Sequence, residues 1–298
     1  MFDFLRINRG ERRKALIIEG GGMRGIFIVG VLQAFEDRKY FPWKIIAGSS
    51  AGALTGTAYA ANQIYIARDI FFTKLISDTF INFKHILKKD KHIMNLDWLI
   101  KDVLEGDDPI DQKKLRKSVP VIITGTNIPD NGDPETLYFN SKKDDLKKIL
   151  TATAALPYLY RGFVNYQNHN LLDGALLDPL PYDYVKSLGY KDKDITIILT
   201  RQKNYRKKSE SFWISSIYEN YYKDPKYKGL LNLLDKRFVR YNNFLDDLET
   251  NHPDLRMIYP PEDFKVNRLS QDMESLMKGF QDGIKSGKKY LREIHKMK

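Results

Sequence analysis

The fold is decided by residues 44–52, whose sequence is KIIAGSSAG. Apolar residues dominate the first four positions, which is typical of a short buried strand. A G-x-S-x-G pentapeptide follows at once, and the small residues of Ala51–Ala61 then indicate a tightly packed helix. Between a strand and a helix, this pentapeptide predicts a sharp turn that lifts the side chain of Ser50 out of the sheet.

The pentapeptide alone is a weak pattern, because five-residue matches occur by chance in turns rich in glycine and serine. Its position between strand and helix makes it more specific. Gly48 and Gly52 supply the small neighbours that a crowded turn needs, and Ser49 occupies the variable position. The Ala51 amide lies at the positive end of the following helix. We therefore predict that Ser50 is a catalytic nucleophile.

Short apolar runs alternate with helical patterns over the first 200 residues. The runs at 14–19, 119–124 and 195–200 predict further strands, and the patterns at 26–37 and 144–153 predict helices. Strands that alternate with helices indicate an α/β fold around a mostly parallel sheet.

Two segments do not follow this alternation. Residues 64–103 form an apolar insertion that we expect to be mostly helical, and it either lines an acyl groove or packs on the sheet edge. Residues 201–298 are basic, rich in tyrosine and phenylalanine, and end in a helical pattern. We predict a catalytic domain over residues 1–200, with its core at 14–200, and a helical extension over 201–298.

A second glycine-rich turn, with the sequence GGGMRG at residues 20–25, also lies between a strand and a helix. It matches the dinucleotide fingerprint G-x-G-x-x-G, which requires an acidic residue at the end of the next strand. That strand ends in the serine turn instead, so we favour an oxyanion hole built from backbone amides at a helix start. The predicted donors are Gly20, Gly21, Gly22, Met23 and Ala51. Arg24 adds positive charge that either favours a phosphate-bearing substrate or supports the loop, and Gly25 completes the motif.

A serine nucleophile needs a base. The chain order Ser–Asp–His leaves only His252 and His295, and neither follows a recognisable core strand. A carboxylate that is held close and partly desolvated can serve instead. Asp173 is the candidate, because it follows an apolar pair and precedes Gly174 and Ala175. Taken alone, this tripeptide would favour an ordinary Asp-Gly turn.

The glycine loop, the serine turn and the Asp173 turn, in this order and spacing, together resemble the patatin-like phospholipase family. The segment ATAALP at 152–157 is similar to one that the family carries between the serine and the aspartate. The resemblance covers about residues 14–200 and implies a three-layer α/β/α fold, a Ser50–Asp173 dyad, an acyl-enzyme intermediate and no metal or cofactor. The tail looks like the carboxy-terminal extension of a bacterial subgroup of such proteins.

The resemblance implies a hydrolase of lipid carboxylic esters, whether phospholipid, lysophospholipid or glyceride. An acyltransferase would use the same dyad and differ only in whether water or an alcohol resolves the intermediate. A non-catalytic protein that binds nucleotides or nucleic acid is the alternative outside enzymes, although we expect no nucleic-acid partner.

The formal net charge is +11, and residues 201–240 hold eleven Lys/Arg against four Asp/Glu. This segment is either a solvated basic face or a docking surface for an anionic membrane. The second interpretation is favoured by aromatic residues interleaved with the lysines, namely Phe212, Trp213, Tyr218, Tyr221 and Tyr222.

The chain has no cysteine, which excludes disulfides, thiolate catalysis and cysteine-ligated metal sites. Its five histidines are not spaced as zinc ligands. No apolar run approaches the roughly 20 residues that span a bilayer, and residues 1–14 do not resemble a secretory signal. We therefore expect a cytoplasmic protein that meets a membrane only peripherally, at its inner face.

Overall fold

The computed structural model describes residues 13–86, 88, 91–130, 132–209 and 212–296, with the backbone alone for 212–214. Residues 1–12, which include most of the segment tested for a signal sequence, lie outside the described residues. The strands are β1 (Lys14–Ile18), β2 (Trp43–Gly48), β3 (Val121–Asn127), β4 (Glu135–Asn140), β5 (Val164–Tyr166), β6 (His169–Asp173), β7 (Ile195–Ile198) and β8 (Arg256–Ile258).

These strands form one sheet in the order β5-β6-β3-β2-β1-β7-β8, and β4 also pairs with β3. The pairs β1–β2, β1–β7, β2–β3 and β7–β8 are parallel, whereas β3–β4, β3–β6 and β5–β6 are antiparallel. The predicted mostly parallel sheet is therefore confirmed. Because Ile18 pairs with Gly48, the loops that follow β1 and β2 leave the sheet side by side.

Helices cover both faces of the sheet. They are α1 (Gly25–Asp37), α2 (Ser50–Ala60), α3 (Ile64–Asp69), α4 (Leu96–Glu105), α5 (Gln112–Lys117), α6 (Leu146–Ala154), α7 (Tyr182–Ser187), α8 (Phe212–Tyr221), α9 (Lys228–Asn251) and α10 (Met273–Lys296).

Alternate residues of β1 supply the two layers of core, as expected of a strand buried on both sides. Leu16 and Ile18 pack with the α1 side, whereas Ala15 and Ile17 pack with residues of α7 and α9 such as Leu245. This arrangement confirms the α/β/α layering.

The insertion at 64–103 is less helical than its composition indicates. After α3, a π-helical turn covers Ile70–Lys74, and α4 begins only at Leu96. Between them the chain is irregular. The Ser77 hydroxyl accepts a hydrogen bond from the Phe80 amide at 3.3 Å, and an isolated bridge joins Ile81 to Met94. Local side-chain bonds of this kind compete with helical ones, which explains why the helical structure is interrupted here.

The carboxy-terminal extension, residues 201–298, shares the sheet and the core of the preceding residues. Its β8 adds a parallel strand to the sheet beside β7, a strand that the sequence analysis did not predict. Its α10 crosses α1 at two glycines, Gly30 and Gly283. A Cβ added at Gly30 would lie 2.1 Å from the Phe280 carbonyl oxygen, so only glycine permits this approach. Within the described residues, no helix is long and apolar enough to cross a membrane.

Candidate active site

The serine turn has the strained geometry that its sequence predicts. Ser49 caps α2 in an extended conformation, and Ser50, the first residue of that helix, has a φ of 50°. Non-glycine residues seldom adopt this left-handed region, and such strain gathers at functional sites. A Cβ at Gly52 would lie 2.4 Å from the Ile18 carbonyl oxygen, so the turn can fold against β1 only with glycine there.

Two hydrogen bonds hold the turn in place. The Ser50 amide donates to Thr153 Oγ1 at 2.8 Å, and Ser49 Oγ donates to the Pro179 carbonyl at 3.1 Å. The Ser49 hydroxyl is thus occupied elsewhere. Thr153 is a supporting residue that the sequence analysis did not name, although it lies in the quoted ATAALP segment.

Asp173 ends β6 and is buried, with 1% of its surface exposed. Its amide donates to the Ala155 carbonyl at 2.9 Å, and its carboxylate accepts the Ala175 amide at 2.8 Å. The next residue must be glycine, because a Cβ at Gly174 would lie 2.1 Å from Thr124 Oγ1. The Ser50 side chain lies close enough to this carboxylate to favour its ionised form. The structure therefore brings the two predicted residues into contact.

Burial raises the pKa of the Asp173 carboxyl to about 6. Hydrogen bonds from the Ala175 amide and the Ser50 side chain oppose this shift, and the nearby guanidinium groups of Arg268 and Arg237 oppose it further. A carboxylate with this pKa is mostly ionised at neutral pH, yet is a stronger base than an exposed aspartate.

The glycine loop lies directly against the serine turn. A Cβ at Gly20 would lie 2.8 Å from Ser49 Oγ, and Gly22 has a φ of 57°. The amides of Gly21, Gly22 and Ala51 have no hydrogen-bond acceptor within the described part of the chain.

The Met23 amide differs from these, because it donates to the Arg268 carbonyl at 3.1 Å. It is therefore occupied in this structure, and its role as an oxyanion donor stays a prediction.

Neither late histidine lies at the site. His252 Nδ1 lies 2.9 Å from both an Asp192 carboxylate oxygen and the Tyr182 hydroxyl, and His295 is exposed in the last turn of α10. Among the described residues that line the cavity at Ser50, none is a histidine. Nor do the described residues contain a group of three or more His, Cys, Asp or Glu placed to hold a metal.

The cavity in front of Ser50, of about 150 Å³, is lined on one side by basic residues. We call this side the basic wall, and its members are Arg24, Arg201, Lys207, Lys208, Arg237 and Arg268. Arg24 is buried, with 5% of its surface exposed. We predicted that residues 201–240 form either a solvated basic face or a docking surface for an anionic membrane, but Arg201, Lys207, Lys208 and Arg237 of that segment line the cavity.

The tyrosines assigned to membrane docking pack inward. Tyr222 is buried, and its hydroxyl accepts the Tyr158 amide at 3.1 Å. Tyr218 and Tyr221 pack against the same core. The docking prediction is therefore wrong for Tyr222, whereas the side chains of Phe212 and Trp213 lie outside the described residues. Membrane contact by the exposed lysines of this segment stays a prediction.

A second, apolar cavity of about 40 Å³ lies on the other side of the serine turn, where Ala51 forms part of its lining. We call the residues that the 64–103 insertion contributes to it the apolar wall; they are Ile66, Ala67, Ile70, Phe71, Leu75, Leu99 and Val103. The insertion thus packs on the core and also lines a cavity, so that both interpretations of its sequence apply.

Fold and site together define an α/β protein in which a serine on a strained strand-to-helix turn contacts a buried carboxylate. A family model described as patatin-like phospholipase matches residues 16–186, more than half of the chain. The chain therefore belongs to the patatin-like phospholipase family, a family of lipid hydrolases. A second model, for a domain of unknown function, matches residues 227–297.

Individual proteins are similar to different parts of the chain. The uncharacterized protein YjjU of Escherichia coli K12 is 26% identical over 293 residues, which are 96% of this chain and 79% of that protein. Triacylglycerol lipase ptl3 of Schizosaccharomyces pombe is 41% identical over 61 residues, 20% of this chain and 12% of the lipase. The crystal structure of VipD from Legionella pneumophila has the same fold, with a TM-score of 0.54 at 13% identity over 95% of this chain and 67% of VipD.

Proposed function

We propose that this protein hydrolyses carboxylic esters of lipids through a Ser50–Asp173 dyad and an acyl-enzyme intermediate. The observation that supports this most directly is the placement of Ser50, on its strained turn, beside a buried Asp173 carboxylate that lines the same cavity and whose pKa is raised to about 6. A general base works best when its pKa lies near the operating pH. This placement supplies both the geometry and the basicity that activation of a serine hydroxyl requires.

In the first half of the reaction, Asp173 takes the proton of the Ser50 hydroxyl while Oγ attacks the ester carbonyl carbon. The negative charge that develops on the carbonyl oxygen is stabilised by the amides of Gly21, Gly22 and Ala51, with Gly20 shaping the loop beside them. Collapse of the tetrahedral intermediate breaks the carbon–oxygen bond to the alcohol. Asp173 returns its proton to that alcohol, which leaves an acyl ester on Ser50.

In the second half, a water molecule replaces the alcohol. Asp173 takes a proton from the water as its oxygen attacks the acyl carbonyl, and the same amides stabilise the second oxyanion. The intermediate then releases Ser50 Oγ, which recovers its proton from Asp173, and the fatty acid leaves.

A lipid substrate is supported by the surroundings of the nucleophile. The apolar wall reaches Ala51, the residue next to Ser50, while the cavity in front of Ser50 is polar and charged. This pairing suits an amphiphile, whose acyl chain and head group need opposite environments. Family membership and the local likeness to a triacylglycerol lipase point to the same substrate class.

Covalent labelling with a fluorophosphonate probe tests the nucleophile. We expect the wild-type protein to be labelled and Ser50→Ala to lose the label completely. Ser49→Ala is the matched control, because Ser49 is adjacent but its hydroxyl donates to Pro179, so it should keep the label. Folded wild-type protein that takes no label, or Ser50→Ala protein that is still labelled, would contradict the proposal.

A further inference from the structure

The cavity at Ser50 holds a marked excess of positive charge. Among the described residues that line it, six are lysine or arginine, and only Glu19 and Asp173 are acidic. Two carboxylates do not balance six cations, and both are also engaged by uncharged groups. Glu19 accepts hydrogen bonds from the Thr200 hydroxyl at 2.7 Å and from the Tyr241 hydroxyl at 2.6 Å, and Asp173 is engaged by Ser50.

Most of these cations have no ion-pair partner within the described part of the chain. This holds for Arg24, Arg201, Lys207 and Arg268, and the buried Nε atoms of Arg24 and Arg201 lack even a hydrogen-bond acceptor. Arg206, elsewhere in the extension, is paired, since it contacts both Asp246 and Glu249 at 2.6 Å. Arg24 is buried, and Arg201, Lys207 and Arg268 are half-buried. Unpaired charge that is partly removed from water is costly, so its concentration beside a nucleophile indicates a site that an anion completes.

The basic wall is fixed in position by bonds to the catalytic loops. The Arg268 carbonyl accepts the Met23 amide, and Tyr241 of α9 donates to Glu19 at the start of the glycine loop. Lys207 lies over the Tyr241 ring, 3.6 Å from its centroid. A preformed set of charges binds an anion without the cost of ordering long side chains on binding.

The cations of the basic wall also shift the pKa values of groups at the site. Burial and the neighbouring cations Arg201 and Arg268 lower the pKa of Arg24 to about 9, and Arg268 and Arg237 lower the pKa of Asp173. The basic wall and Ser50 line the same cavity, so one small molecule can contact both. In a glycerol phospholipid only the short glycerol backbone separates an acyl ester from the phosphate, which suits this spacing.

We propose that the cavity at Ser50 selects lipid esters that carry an ionised phosphomonoester, and that Arg201, Lys207, Arg237 and Arg268 hold this phosphate beside the scissile ester. The inference rests on the ester hydrolysis proposed above and names its substrate class. A phosphomonoester carries nearly two negative charges at neutral pH, whereas the charge of a phosphocholine head group is offset by its own cation. Guanidinium groups bind phosphate with charge-assisted hydrogen bonds, often in pairs.

Three soluble esters with the same octanoyl chain test the selectivity: a monoglyceride, its phosphomonoester and its phosphocholine ester. With the full-length protein we expect kcat/KM for the phosphomonoester to exceed that for each of the others by about tenfold or more. The preference should shrink as salt is added, because salt screens charges that reach solvent. Equal rates on all three esters would overturn the inference while leaving ester hydrolysis intact.

Charge-neutral variants locate the phosphate site. We expect Arg201→Gln and Lys207→Gln each to reduce the ratio of kcat/KM for the phosphomonoester to that for the monoglyceride by about tenfold. The matched control is Lys203→Gln, an exposed lysine of the same loop that does not line the cavity, and its ratio should equal that of the wild type. An unchanged ratio in both cavity variants would overturn the inference.

Two further measurements separate the causes of failure. Fluorophosphonate labelling reports whether Ser50 is a reactive nucleophile. If the folded wild-type protein takes no label, the proposed ester hydrolysis is refuted, and not only the preference for a phosphomonoester. Competition by inorganic phosphate against a neutral ester distinguishes a lipid phosphate from free phosphate. Strong competition without any preference for the phosphomonoester would show that the site binds free phosphate, and it would overturn the inference that the phosphate of a lipid binds there.

Discussion

The apolar wall and the basic wall meet at the serine turn and differ in how they are stabilised. The apolar wall comes from the 64–103 insertion, and its residues Phe71 and Leu99 are buried in the main core. Most of the basic wall comes from the extension, where Arg201 and Lys207 carry charge without a carboxylate partner in the described residues. Burial of the first wall stabilises the fold, whereas the second wall costs stability. Different segments of the chain therefore supply stability and the proposed selectivity for a phosphomonoester.

The largest effect is expected where the two walls meet. Asp173→Asn should lower kcat/KM by about 10³-fold or more, because the amide cannot accept the Ser50 proton. The fold should become more stable at pH 7, by up to about 3 kcal/mol. The reason is that the buried carboxyl has its pKa raised from 3.8 to about 6, so folding opposes its ionisation above pH 6.

Asp178→Asn is the matched control for that variant. Asp178 is also largely buried and its pKa is likewise raised to about 6, but it is bound to the Tyr138 hydroxyl at 2.8 Å and does not line the cavity at Ser50. Steady-state kinetics and thermal unfolding of both variants check the prediction. If Asp173→Asn keeps wild-type activity, the dyad is refuted.

Substitutions in the apolar wall are expected mainly to lower the free energy of unfolding. Leu99→Ala removes a side chain with 1% exposure from this wall and should lower the free energy of unfolding by about 2–5 kcal/mol. The preference for a phosphomonoester should not change, because the basic wall is untouched. Urea unfolding and the kcat/KM ratio measure the two quantities. A large change in head-group preference would show that the walls are not independent.

Removing a charge from the basic wall is expected to raise stability, whereas truncating the apolar wall lowers it. Burial, together with Arg268, Arg237 and Arg201, lowers the pKa of Lys207 from 10.5 to about 7. The folded protein then binds fewer protons than the unfolded chain between these values, so stability rises with pH across that window.

Lys207→Met should therefore be more stable than the wild type at pH 7, by about 1 kcal/mol, despite the lost contact with the Tyr241 ring. The difference should shrink toward pH 10.5. Lys203→Met, which changes an exposed lysine, should leave stability within about 0.5 kcal/mol of the wild type. Thermal unfolding between pH 6 and pH 10 checks this, and a Lys207→Met protein that is less stable throughout would contradict it.

The smallest effect concerns the pH profile. Asp173 must be ionised to act as a base, so kcat/KM should fall as pH drops through about 6. Arg268 lowers the pKa of Asp173, so Arg268→Gln should move this acid limb upward by a fraction of a pH unit. The profile is best measured on a neutral ester, with Lys265→Gln as the exposed control. A downward shift in Arg268→Gln would contradict the electrostatic explanation.

Segments with a strong local pattern were predicted well. The long apolar strands β1, β2, β3 and β7 and the helices α1, α2 and α6 all occur where the sequence indicated. The strands β4 and β6 were missed, as were the short strands β5 and β8, of three residues each. Three residues are too few to show a period, and their conformation depends on the neighbouring strand with which they pair.

The sequence by itself determined the serine turn, the glycine loop and the Asp173 turn. These depend on backbone conformations that few residues adopt, and on close approaches that only glycines such as Gly52 and Gly174 permit. The tertiary structure decided that the Met23 amide is occupied and that charges from Arg24 to Arg268 gather around one cavity. Electrostatic interactions depend on distance through space, which a linear sequence does not contain, so Lys207 and Lys208 of the segment that suggested a membrane surface line the cavity at Ser50.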